Sequence, residues 1–298
     1  MRGLVDDDLL THYARVMLVG APAHFNYETT RENAMLHWHE GNHPSIALNP
    51  EKLKKTMNKL DQNQFVIPLN SWVSRFIPHM FFTPQHLLDS GRQIFDASRR
   101  FTPTSIPVNR MTSTHLGVEL NCDYGTVLIK VLIRLWNLRI TYPLLDIILH
   151  ANDVKSCFRQ IKHHQDIMAA FSYIIAETLY LSCGLTFGSD FSPQSWEVCR
   201  RIAKQLATNL FKDVSLVAKH RVYLDKLQWS KKLGEEANFV KTHATASHKG
   251  VLDNGVPENI PHNMFVDDDI YAEVYDVERI ERTCAAGIEA IFIILGKS

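Results

Sequence analysis

An α+β fold is what this sequence predicts, and three observations predict it. The first 60 residues read as helix, with breaks at Gly20-Ala21-Pro22 and around Gly41 to Pro44. The rest mixes short apolar runs, bounded by Gly, Pro and Asn, with longer helical patterns. Two of the runs end in carboxylates far apart in the chain: Asn152-Asp153-Val154, and Phe265-Val266-Asp267-Asp268-Asp269-Ile270-Tyr271.

Taken in order, Pro50 to Met57 is a basic amphipathic helix with Pro50 suited to its first turn. Phe65 to Leu69 and Met80 to Phe82 are short strands or extended segments punctuated by Pro68, Pro78 and Pro84. Arg92 to Ala97 reads as a strand, Thr102 to Pro107 as a proline-bounded loop and Gly125 to Arg139 as a helix. A strand ending at Asp153 follows, then a hairpin at Ala169 to Leu185. Next comes a helix from Pro193 to Phe211, with Ser192 as its N-cap and Glu197 in its opening turns. A further helix is expected near Leu216 to Lys232, and Asn254-Gly255 marks a turn. Met264 to Tyr275 should form a second hairpin, Val277 to Glu289 a closing helix and Ile291 to Leu295 a last strand.

Carboxylates from separate strands gathered at one sheet edge suit hard cations. Mg²⁺ takes oxygen ligands, usually one or two carboxylates plus substrate phosphates. Two such ions about 3.5–4 Å apart can steady both the attacking and the leaving oxygen of a phosphoryl transfer. Between the two acidic stretches lies Cys183-Gly184-Leu185-Thr186-Phe187-Gly188-Ser189-Asp190-Phe191-Ser192-Pro193-Gln194-Ser195-Trp196. It reads as a strand end, a glycine-containing loop and a helix start, where backbone can approach a planar or anionic ligand closely.

Together these pieces resemble the reverse transcriptases of long-terminal-repeat retrotransposons and retroviruses. Asp153-Val154-Lys155-Ser156-Cys157-Phe158-Arg159-Gln160-Ile161 is similar to the first palm motif of that family, an Asp followed five residues on by an aromatic. Phe187-Gly188 through Pro193 to Trp196 resembles the second motif, and Phe265-Val266-Asp267-Asp268 the third. Gly91 to Ser98, followed by Ile106-Pro107-Val108-Asn109, looks like the fingers strand whose Arg grips a triphosphate. The resemblance covers roughly residues 90–295.

It implies a polymerase-type fingers and palm, with an antiparallel palm sheet backed by helices, among them the one after Pro193. It divides the chain into a helical segment at 1–60 of unknown role, a fingers-like region at 61–141 and a palm-like region at 142–298. Phe187 and Asp267 stand 80 residues apart, well beyond the family's spacing, so an insertion is expected at about 213–260. The stretch from Tyr142 to Asp153 is shorter than its family counterpart, and Ser298 follows soon after the third motif, with no room for a thumb or RNase H domain.

The resemblance also assigns roles. Asp153 and Asp267 would hold two Mg²⁺ ions, with Mn²⁺ as the alternative. Asp268 would contribute less directly, and Val154 would lend its carbonyl. Phe158 would be the sugar gate, excluding a 2′-hydroxyl. Arg92 would clamp the triphosphate of a deoxynucleoside triphosphate bidentately. Phe187 and Gly188 would floor the templating pair, while Arg200, Arg201 and Lys204 would meet the RNA or DNA template-primer. Asp269 is an extra acid without a role, placed on the solvent side.

The function so implied is RNA-directed DNA synthesis by two-metal nucleotidyl transfer. The alternative is a catalytically idle, nucleic-acid-binding or structural remnant of such an element. A distant third is a zinc metallopeptidase through His39-Glu40-Gly41-Asn42-His43, which needs both His on one face of a continuous helix. Gly41-Asn42 and the following Pro44 argue for a helix that stops near Glu40 instead.

Composition narrows the class. With 45% hydrophobic and 21% charged residues and no net charge, the 298-residue chain reads as an ordinary globule without a global pull on nucleic acid. Charge is unevenly spread, however. Ser195 to Gly250 holds eleven Lys/Arg against five Asp/Glu, and Asp267 to Glu289 holds eight acids against two Arg. A basic stretch beside an acidic metal site suits a template-primer cleft.

Cys122, Cys157, Cys183, Cys199 and Cys284 are odd in number and widely spaced, which argues against a disulfide framework or zinc knuckle and for a reducing, intracellular compartment. No secretory leader opens the sequence. The longest apolar run, Val127 to Ile140, carries Lys130, Arg134 and Arg139, is too short to span a bilayer and reads as a buried helix.

Overall fold

The computed structural model describes residues 3–21, 23–25, 31–114, 122, 124–226, 263–265 and 268–296. In chain order the elements begin α1 (Asp7–Val19), β1 (Ala23–Phe25), α2 (Arg31–Glu40), α3 (Ser45–Leu48), α4 (Pro50–Gln62), β2 (Val66–Asn70), β3 (Gln85–Leu87) and β4 (Gln93–Phe95). Then come α5 (Val108–Met111), β5 (Thr112–Thr114), α6 (Tyr124–Thr141), β6 (Ile147–Asp153), α7 (Cys157–Gln160), α8 (Gln165–Met168), β7 (Ser172–Ile175) and β8 (Thr178–Ser182). The remainder is α9 (Ser192–Leu210), α10 (Ser215–Lys219), α11 (Arg221–Leu224), β9 (Asn263–Phe265), β10 (Asp268–Val274) and α12 (Val277–Leu295). The fold is α+β, with small antiparallel sheets among many helices. No described helix is long and apolar enough to cross a membrane.

Two compact units share the chain, each built from separated segments. The first comprises Met1–Leu10, Asp123–Lys155 and Cys199–Ser298, the second Thr11–Cys122 and Ser156–Val198.

The first unit is organised by the antiparallel sheet β6-β10-β9. Tyr271 of β10 packs with Ile280, Cys284 and Ala285 of α12 and with Phe211, Leu216 and Leu224. Ala272 and Val274 of the same strand pack with Leu138 of α6 and Ile147 of β6. Strand alternation sends successive side chains of β10 to opposite faces, so one strand feeds both clusters. A buried acid joins the layers. The Glu273 carboxylate is fully buried and accepts from Arg134 of α6 (3.2 Å) and Arg279 of α12 (3.4 Å).

Three expectations are corrected here. The strand at Ile291 to Leu295 is the last part of α12, which runs unbroken from the Asp276 cap, whose side chain accepts from Arg279 N, to Gly296 at φ +64°. Its buried residues Ile280, Thr283, Gly287, Ala290 and Ile294 keep a spacing of three or four to the end, which is a helical stripe. Second, α6 is buried on one side only. Val127, Val131 and Leu138 are inside, while Leu128, Ile129, Leu132, Ile133, Trp136 and Ile140 are each more than half exposed. The helix expected at Leu216 to Lys232 breaks at His220 into α10 and α11, and its part beyond Lys226 lies outside the described residues.

The second unit contains the sheet β2-β8-β7 and the ribbons β3-β4 and β1-β5. Pro68 is tolerated in β2 because β2 is an edge strand, where the missing N–H breaks no second ladder. Phe81, Phe95, Phe171, Tyr173 and Leu179 are all nearly or fully buried, and each such side chain stabilises the folded unit by about 1.5–3 kcal/mol. Helix α4 lays Leu53, Met57 and Leu60 inward, the amphipathic pattern its sequence shows.

Candidate functional site

Strand register places the acidic residues of the first unit. Asp153, the last residue of β6, lies directly opposite Asp268, the first residue of β10, and Asp268 in turn lies opposite Phe265 of β9. Residues directly opposite in an antiparallel pair present their side chains on the same face, with Cβ atoms about 4.5–5.5 Å apart. Asp153 and Asp268 therefore share a face at one end of the sheet. Residues 266 and 267 lie outside the described residues, and with them Asp267 and the role expected of it. Asp153 is exposed and Asp268 half-buried, whereas the Val154 side chain is buried. Among the described residues no three His, Cys, Asp or Glu side chains converge as a complete metal-binding group.

The opposite face of the same strands carries a polar set that no motif announces. Asp269 pairs with Asn152 and is buried, so it does not take the solvent position expected for it. Beneath it, His150 Nε2 lies 2.9 Å from Asn152 Oδ1, and Tyr271 Oη shares a 2.7 Å hydrogen bond with Cys284 Sγ. Burial, with the neighbouring Cys284 and Asp269, raises the Tyr271 phenol well above its ordinary value. Burial likewise pushes the Cys284 thiol up to about 11. Both groups are protonated at neutral pH, so this cluster fixes the strand-helix contact and offers no thiolate nucleophile.

The substrate candidates fall in the second unit, and four of them are neighbours there. Arg92 lies over the Phe187 ring at 5.2 Å, and the Phe158 ring meets Phe187 at 5.0 Å and 67°. Gly188 has φ +106°, and a Cβ at that position would run into the Phe95 carbonyl oxygen. Phe95 N donates to Phe187 O (3.0 Å), and Asn109 Nδ2 donates to Gly188 O (2.8 Å), so strand β4 and the Phe187-Gly188 turn are tied together. Arg92 is exposed and Phe158 buried. Ser156, between Asp153 and Phe158, holds a left-handed backbone at φ +56°, a strained conformation for a residue with a side chain.

Of the basic candidates, Arg200 is buried and presents no open guanidinium, while Arg201 and Lys204 line a shallow groove of about 780 Å³ that also holds Asp6 and Asp7. In the described part of the insertion, Lys219 pairs with Glu289 (2.8 Å) and Arg221 with Glu281 (2.7 Å), so those cations are engaged with α12. Residues 227–262 lie outside the described set. In the His39-Glu40-Gly41-Asn42-His43 stretch, α2 ends at Glu40 and Gly41 takes φ +64°. His39 and His43 thus do not share one helix, and His43 Nδ1 is 3.1 Å from Ser45 Oγ.

No protein-family model, no curated protein and no solved structure matches this chain.

Proposed function

We propose that this chain is the fingers and palm portion of a retroelement RNA-directed DNA polymerase, extending a primer by nucleotidyl transfer from deoxynucleoside triphosphates. The observation that carries the proposal is the register that sets Asp153 opposite Asp268, the residue that follows Asp267 in the sequence. Two like charges directly opposed across strands destabilise a sheet. Two carboxylates on one face at the end of a sheet offer oxygen ligands to a hard cation, so the donor set fits Mg²⁺ or Mn²⁺. A cation pair bound there supplies charge neutralisation and a polarised attacking oxygen.

The chain's own residues carry the remaining roles. Asp153 and Asp268 hold negative charge at a fixed strand spacing, Asp267 adds to it, and Val154 offers a carbonyl. Arg92 supplies a planar, always-charged donor for phosphate oxygens. The Phe158–Phe187 pair supplies an apolar surface that rejects a ribose hydroxyl by leaving it neither room nor a partner.

Primer extension by the full chain on oligo(dT)–poly(rA) with Mg²⁺ and dTTP tests the proposal. Extension that disappears in Asp153→Asn supports it. Tight binding of the template-primer with no incorporation, with either Mg²⁺ or Mn²⁺, would instead make the chain a catalytically idle remnant.

A further inference from the structure

Helix α6 is apolar on two opposite sides, and the first unit covers one of them. Val127, Val131 and Leu138 turn inward, with Leu138 packed on Ala272 and Val274 of β10. At about 3.6 residues per turn, Leu128, Ile129, Leu132, Ile133, Trp136 and Ile140 share an arc of about 140° on the other side. All six are more than half exposed, Trp136 the most at 69%. Leu128, Leu132, Trp136 and Ile140 form one row at intervals of four, and Ile129 and Ile133 begin a second row beside it. Rows of this kind are the ridges that interdigitate with those of a facing helix.

A patch of this size calls for a cover. Its exposed fractions amount to roughly 700 Å², more than the 300–600 Å² of the largest patch on a typical monomer. That is close to the area of about 800 Å² per partner that a stable protein–protein interface buries. A lipid surface fits less well. A helix that lies on a membrane sets basic side chains along its polar face. Two of the three cations of α6 are instead committed within the chain: Arg134 pairs with Glu273 (3.2 Å), and Arg139 donates to Pro143 O and Leu145 O.

A second copy fits, because the face is self-complementary. Turned antiparallel about a two-fold axis level with Arg134, two α6 helices set Leu128 against Ile140 and Leu132 against Trp136. A parallel pair would oppose Trp136 to Trp136 and Lys130 to Lys130, two bulky rings and two like charges.

We propose that the outward face of α6 is the interface of a symmetric homodimer, its two helices antiparallel, with Trp136 of each copy seated against Leu132 of the other. The interface stands whether or not the chain polymerises. Sedimentation velocity of the full chain tests it. The wild-type chain should be a dimer at micromolar concentration. Trp136→Glu and Leu132→Lys should each weaken self-association by about 100-fold or more, because each sets an unpaired charge at the centre of the interface. Both positions are exposed, so the far-UV circular dichroism of each variant should match that of the wild type. Mixed together, the two variants should associate again, since the antiparallel pair sets the new acid of one chain against the new base of the other.

A monomeric wild-type chain, a dimer that either variant leaves intact, or a mixture that stays monomeric would each overturn the proposal. Loss of folded structure in either variant would show that the face is covered within the chain, which also overturns it. Capture of a monomeric chain by phosphatidylcholine–phosphatidylserine vesicles would replace the second copy with a lipid surface.

Discussion

Asp153 and Asp268 face one another across β6 and β10, and that opposition separates what activity needs from what the fold needs. Replacing Asp153 by Asn removes a charge from the cation site, and under the proposed function primer extension should fall by 100-fold or more, on the order of the loss for one preorganised electrostatic group. Because Asp153 is exposed and its strand partner is also an acid, the same change should leave the thermal midpoint unaltered or raise it slightly. A variant that lost activity together with stability would mark Asp153 as a structural residue. Phe158 is the reverse case, since it is buried and packed on Phe187, so a truncation there touches both properties. Phe158→Val should cost at most about 3 kcal/mol of stability. As a sugar gate it should also admit ribonucleotides while deoxynucleotide incorporation persists. Equal loss with both nucleotide types, assayed in single-nucleotide extension, would make it a core aromatic only.

At the scale of elements, Glu273 is where three of them meet, because its carboxylate accepts from Arg134 of α6 and Arg279 of α12 while its own backbone sits in β10. Removing one partner of a buried ion pair typically costs about 3–5 kcal/mol, since the remaining charges lose their compensation. Glu273→Ala should therefore lower the urea midpoint of the first unit severely, and Glu273→Gln, which keeps the shape and an acceptor oxygen, should do so less. Equal stability of the two variants would show that shape and not charge holds the layers.

Nothing in the sequence marks Glu273, which stands among eight acids and gains its partners only through tertiary contact. Features with local causes were legible. The β7-β8 and β9-β10 hairpins, α9 after Ser192-Pro193 and the stop of α2 at Glu40 follow from alternation, a capping pattern and a Gly-Asn-His-Pro break. The apolar run at Ile291 to Leu295 was misread as a strand because five apolar residues do not reveal their period. Only continuity with Ile280 and Cys284 shows the helix. The outer face of α6 was misread because composition cannot say which side of an apolar helix finds a neighbour. At the candidate site, the opposition of Asp153 to Asp268 needed register. The gathering of Arg92, Phe158 and Phe187 needed the whole second unit.

On the scale of the molecule, the two units should answer acid in sequence. The second holds His37 and His163, both nearly fully buried, and burial is the main cause that lowers them from 6.5 to about 4 and about 3. For a histidine held below its unfolded value, the unfolded chain binds the proton first. Stability is therefore whole above pH 6.5 and falls as the pH drops from there toward about 4. Each such histidine removes up to about 1.4 kcal/mol per pH unit in that window. The first unit depends instead on Glu289. Burial pushes this carboxyl up, but hydrogen bonds from Lys219 and His220 outweigh it and leave the group below its ordinary value of 4.5. A depressed carboxylate contributes stability above its unfolded value and loses it only as the pH falls below 4.5 toward the folded one. Amide hydrogen exchange on the intact chain, corrected for intrinsic rates and read by segment, should show protection in β7 and β8 falling between pH 7 and pH 5 while that in α12 holds. His163→Phe should narrow the difference, because a ring that cannot take a proton leaves nothing for acid to charge. Protection that is the same at both pH values in β7 and β8 would mean that neither buried histidine is held neutral in the fold. A simultaneous loss in α12 would mean that the two units unfold as one.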